Sequence, residues 1–210
     1  MHCDVCGMDY GLSHTCSGIG PALTPEEAAP PPSGIAPLYY LRLAFNIARW
    51  DDVSVRRAVR DPNALFYGAV FSAISAAIIF LGTALPGILR RPDANAETIV
   101  WSLMLGLVFV WVYMAVVAVI QLALCHLIAK WFFRATGTFI GVMRALLLGW
   151  FVNCLILIPV AGPLASAVAW TAVLMIVFEE ADGIERLQAF FISAGVNVAF
   201  LALQFLLPVR

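Results

Sequence analysis

Lysine is almost absent from this chain: Lys130 stands alone beside eleven arginines. Charge of either sign is scarce, with 12 basic and 13 acidic side chains making up 12% of 210 residues against 62% apolar ones. A water-soluble core of this size cannot bury so much apolar surface, so part of it must face lipid. The formal net charge of −1 offers no excess of cations for a nucleic acid, and none is expected as a partner. A basic start followed by an apolar segment is also missing. The first 37 residues are polar and rich in Cys, Gly and Pro, so a cleavable signal peptide is not expected. Acids and histidines do not form a series across the apolar region, which leaves a proton relay unsupported. Nucleophile–base pairs, helical metal motifs and nucleotide loops are likewise not evident, and the chain is not expected to be an enzyme.

What is present is one apolar stretch from Leu65 to Leu207, broken by narrow charged interruptions. Lipid requires backbone polar groups to be satisfied within the chain, and blocks of this length mean helices. The expected fold class is all-α: a polytopic membrane bundle of five transmembrane helices with a small N-terminal zinc-knuckle-like head. About 20 residues are needed to cross about 30 Å of hydrocarbon. The first span is placed at Leu65 to Leu85, ended by Pro86-Gly87. The second is placed at Val100 to Leu124, with Cys125 to Arg134 as an interfacial helical extension. The third runs from Phe139 to Ile158, followed by a tight turn from Pro159 to Pro163. The fourth ends at Phe178, and the fifth covers Leu187 to Leu207.

Ahead of the spans, residues 1–19 form a cysteine-rich head, 20–37 a proline-rich linker and 38–63 an amphipathic interfacial segment; the membrane domain covers 64–210. In the interfacial segment Leu38, Leu41, Phe45 and Ala48 recur at helical spacing. Arg56, Arg57 and Arg60 then cluster before the first span, suited to lipid phosphates. Counting Lys and Arg in alternating connections puts nine on the N-terminal side and three on the other. The positive-inside rule therefore predicts a cytoplasmic N-terminus and an external C-terminus. The arginine bias, with heavy use of Ala, Val and Leu, hints at a GC-rich genome and so at a bacterial inner membrane.

In the head, Cys3-x2-Cys6 followed by His14-x-Cys16 supplies four ligands of the type and number that tetrahedral Zn²⁺ takes, with His2 as a substitute. A structural zinc is the expected cofactor; the alternative is an unmetallated or redox-sensitive tail. A closed structural site would staple the head and catalyse nothing.

Within the spans, Gln121, Asn153, Asn197 and Gln204 are expected to hydrogen-bond between helices. Small residues in the first and fourth spans permit close packing, and a homo-oligomer is compatible with them. Arg144 is expected to snorkel to the nearer interface, and His126, beside Cys125, to pack there. From Glu179 to Arg186 four acids gather. Asp182 with Glu185 fits a capping pair for the fifth helix, which leaves Glu179 and Glu180 at the end of the fourth, where the helix dipole opposes them. Their partners are expected to be the Arg56, Arg57, Arg60 cluster, or another protein at the cytoplasmic face.

The order of these features resembles the Yip domain family of Ypt/Rab-interacting membrane proteins and their prokaryotic relatives. The residues that carry the resemblance are Asp61-Pro62, the Gly137-Thr138-Phe139 lead-in to the third span, the turn from Ile158 to Pro163, and Trp170 followed by Glu179, Gly183, Ile184 and Ala189. The resemblance covers roughly Leu38 to Pro208. It implies five spans with a cytoplasmic N-terminus and, in eukaryotic relatives, vesicle trafficking and binding to prenylated small GTPases. The head departs from those relatives, with a cysteine cluster and proline linker where they carry longer N-terminal regions. The function expected is a non-enzymatic membrane scaffold or adaptor; the alternative is a small oligomeric permease or channel.

Overall fold

The computed structural model describes residues 36–90 and 95–206. Among these the secondary structure is helical throughout: α1 (Ala36–Ala48), α2 (Asp52–Arg60), α3 (Ala64–Leu89), α4 (Ala96–Phe133), α5 (Phe139–Gly149), a 3₁₀ helix (Trp150–Leu157), α6 (Gly162–Asp182) and α7 (Arg186–Leu206). Four of the described segments are long and apolar enough to cross a membrane: α3, α4, α5 with its 3₁₀ continuation, and α6. This is a helical membrane protein. α7 occupies the position of the fifth predicted span.

The interfacial segment differs from its expectation in one respect. It is two helices, divided where Trp50 adopts φ 65° and Asp51 caps α2 by accepting the Ser54 N–H at 3.0 Å. The face of α1 that packs on the bundle carries Tyr40, Leu43, Ala44 and Ile47, whereas Leu38, Leu41 and Phe45 are each more than half exposed. The helix is thus apolar on both faces, one packed on the bundle and one turned outward. Its inner face docks where glycine leaves room: a Cβ on Gly149 would come within 2.7 Å of Val173 and 3.1 Å of Ile47.

The second span and its helical extension are continuous. The extension assigned to Cys125–Arg134 continues the same helix, and α4 runs 38 residues, about 57 Å at about 1.5 Å per residue. Its length is nearly twice the roughly 30 Å of a bilayer core. From Ala96 to Ile120 none of its residues is buried; Gln121, Leu122, Cys125, His126 and Ala129 then form the face that meets the bundle.

The third span is helical over its predicted length but tightens to 3₁₀ at Trp150. There the Asn153 amide donates to the Trp150 carbonyl at 3.0 Å, and Asn153 accepts from Ser166 of α6 at 3.2 Å. A side chain holding that carbonyl competes with the α-helical ladder. The turn from Pro159 to Pro163 forms as expected, with Pro163 in the first turn of α6 and Val160 at φ 64° on its fully exposed tip.

Two ends are corrected. α3 continues through Pro86 to Leu89, and α6 runs on to Asp182, where Gly183 at φ 67° makes the left-handed cap and donates to the Glu179 carbonyl at 3.1 Å. Asp182 therefore closes the fourth span and does not cap the fifth. The N-terminal cap of α7 lies three residues later, where Gln188 Oε1 accepts the Glu185 N–H at 3.3 Å.

Amide pairing between spans is observed. Gln121 Nε2 donates to Asn197 Oδ1, Asn197 Nδ2 donates to Thr171 Oγ1 at 2.7 Å, and Trp170 Nε1 donates to Gln121 Oε1 at 3.4 Å. The strap joins α4, α6 and α7 across otherwise featureless apolar surfaces. The side chain of Gln204 lies outside the described residues. Close packing through small residues is seen at Gly68, where a Cβ would stand 2.7 Å from Leu147 Cβ.

Candidate functional site: a polar junction at the helix ends

Charged side chains concentrate where the ends of α4, α6 and α2 meet the beginnings of α5 and α7. The deepest is Asp182, which has no exposed surface and whose Oδ2 lies 2.9 Å from His126 Nδ1. Each residue is positioned by local structure. Asp182 is the last residue of α6, and its carbonyl accepts the Thr136 N–H at 3.0 Å. His126 stands on the single buried face of α4. The loop between α4 and α5 closes over the pair, turning at Arg134 with φ 54°. Gly137 is required in that loop, because a Cβ there would collide with the Ala181 carbonyl and with Asp182 Oδ1. The Phe139 ring stands 5.8 Å from the imidazole. Asp182 Oδ1 is buried without a hydrogen-bond partner, so the carboxylate depends on His126 for its one side-chain bond.

A second connection ties α2 to α6. Arg56 Nη1 donates to Glu180 Oε2 at 2.8 Å, with both side chains largely enclosed. Glu179 is held by Arg186, whose Nε donates to its Oε2 at 2.7 Å, and Arg186 also stands 3.9 Å from Asp52 at the start of α2. The two acids left at an unfavourable helix end thus have arginine partners, one from the expected cluster and one from the next helix. Arg57 and Arg60 occupy the last turn of α2, where cations suit the dipole. A third connection is Arg144, which reaches the Val59 carbonyl at 3.1 Å with a buried Nε and so caps the end of α2, within the segment expected at the interface.

On α1, Tyr40 donates to Asp61 Oδ2 at 2.5 Å and stacks on Tyr67 at the start of α3 with ring centroids 4.1 Å apart. Burial and the neighbouring Asp61 carboxylate hold its hydroxyl pKa above the ordinary tyrosine range.

Sequence reasoning placed Arg56 with Glu180 and missed the His126–Asp182 pair. A signal for it existed: Gln121, Leu122, Cys125, His126 and Ala129 follow helical spacing, and the two polar members mark that face as buried against protein. Cys3, Cys6, His14 and Cys16 lie outside the described residues. Among the described residues no group of three or more His, Cys, Asp or Glu side chains is placed to hold a metal ion. No family model, curated protein or solved structure matches the chain.

The junction can lock helix ends and hold charge out of water. Arg56 is committed to Glu180, Arg186 to Glu179 and His126 to Asp182 within the fold.

Proposed function

We propose that this chain is a non-enzymatic scaffold or adaptor of the Yip type, with five spans, a cytoplasmic N-terminal side and an N-terminal head stapled by Zn²⁺ through Cys3, Cys6, His14 and Cys16. One observation carries the reading. The α1–α2 pair is clamped to the bundle by Arg56–Glu180 and by Arg144 on the Val59 carbonyl, while Leu38, Leu41, Phe45 and Trp50 stay exposed on its outer side. A helix fixed on one face and apolar on the other is a shelf for a membrane surface or a protein. Arg49, whose guanidinium stands 5.9 Å from the Phe45 ring, supplies cationic character beside that shelf.

Crosslinking the intact protein in its native membrane, followed by purification, tests the proposal. A specific partner retained by the wild type and lost with Phe45→Glu or Cys3→Ser supports it. Solute flux through the purified protein in vesicles, with no partner captured, would favour a permease and defeat it. The topology has its own check: a reporter fused after Arg210 should mark the external side, and a cytoplasmic signal removes the five-span arrangement.

A further inference from the structure

An apolar cavity of about 180 Å³ lies between α3 and α4 on one side and α5, the 3₁₀ helix and α6 on the other. Its inner wall is built from Met143, Leu146, Trp150 and Trp170, and its α3 wall from residues as small as Ala69 and Ala76. Two of its polar side chains are engaged within the fold. Ser72 Oγ donates to the Ala69 carbonyl at 2.8 Å, and the Trp170 indole donates to Gln121. The lining is almost wholly apolar, and an apolar cavity of about this size stays dry.

The hollow is not sealed. Trp111 and Val119 line it and are also 37% and 41% exposed, so its mouth runs directly into the outward surface of α4. That surface continues through Leu105, Phe109 and Val116, all at least half exposed. In a membrane-spanning helix such a surface faces hydrocarbon. The cavity is thus an inward branch of the lipid interface, reached from the side. Left empty, it would deprive the walls of dispersion contacts.

We propose that the cavity is a binding site for one acyl chain of a bilayer phospholipid, which enters between α3 and α4 and ends against Trp150 and Trp170. The two indoles, edge to face with centroids 5.0 Å apart, form the floor. α4 is the wall that adjusts to the chain, because its stretch from Ala96 to Ile120 buries no residue. The site is independent of the adaptor reading.

The test uses the full chain in phosphatidylcholine vesicles containing a small fraction of phosphatidylcholine with a mid-chain diazirine. After irradiation, adducts are mapped by mass spectrometry of digested protein. Adducts are expected at Leu146 or Trp170, which are 3% and 8% exposed, as well as at lipid-facing Leu105 and Phe109. Ala118→Phe, which fills the cavity, should cut labelling of Leu146 and Trp170 at least fivefold and leave Leu105 and Phe109 unchanged; Ala115→Leu serves if the first variant does not fold. Labelling confined to Leu105 and Phe109 in the wild type would overturn the proposal. So would inner-wall labelling that persists undiminished in a folded, cavity-filled variant.

Discussion

Replacing His126 with leucine should damage this protein far more than the loss of one hydrogen bond, and the reason lies in what remains. Asp182 is fully buried, its Oδ1 has no partner, and its Oδ2 is held by His126. With the imidazole gone, a carboxylate stays in an apolar site with neither oxygen paired on its side chain. Breaking a buried pair from one side costs about 3–5 kcal/mol, which is roughly two to three and a half decades in the folded-to-unfolded ratio. Asp182→Asn alone removes the charge and keeps a polar group for the imidazole, at a cost of about 1–2 kcal/mol. The double variant His126→Leu with Asp182→Asn should then be more stable than His126→Leu by about 1–3 kcal/mol, a coupling typical of residues in contact. Equilibrium unfolding of the four proteins in one detergent, followed by helical circular dichroism, reads all three differences. The reasoning fails if His126→Leu costs less than about 1 kcal/mol, or if the double variant is no more stable than that single one.

Three further outcomes follow from the same structure. Gly68→Val places side-chain atoms where α3 meets Leu147 and should lower stability by about 1–3 kcal/mol through overpacking, seen as a lower thermal midpoint, whereas Gly87→Ala, with open space around it, should change little. Because the folded state raises the Tyr40 pKa, folded and unfolded forms both keep that proton below about pH 10, and stability declines as pH rises beyond it while the unfolded chain deprotonates first; Tyr40→Phe should flatten that decline in a thermal-midpoint series from pH 8 to 11. Metal analysis of the purified full-length protein should find one zinc per chain, reduced by Cys6→Ser, and a metal-free wild type would remove the zinc head.

Much of the architecture is written locally. Gly183 ends α6 because the left-handed conformation suits a residue without a Cβ, and the Pro159–Pro163 turn follows from residues that cannot continue a helix. Other parts were not legible because their causes are distant. Asp182 follows two acids and precedes a glycine, a context that fits a helix cap as well as a helix end. Its burial is decided by a histidine 56 positions earlier, and the environment of Glu180 by an arginine 124 positions away. The inner face of α1 was not legible because apolar residues occupy both sides, and Ile47 packs where Gly149 leaves room.

Hydrophobic length, scarce charge and chain-breaking residues determined from the sequence alone that this protein lives in a membrane, and roughly where each apolar helix begins and ends. Those properties act over a few residues and report on solvent. Tertiary structure decided which faces meet, which charges pair, and that α4 stands off far enough to leave a cavity. A helix apolar all round satisfies lipid and protein equally well, so its sequence does not specify which neighbour each face takes.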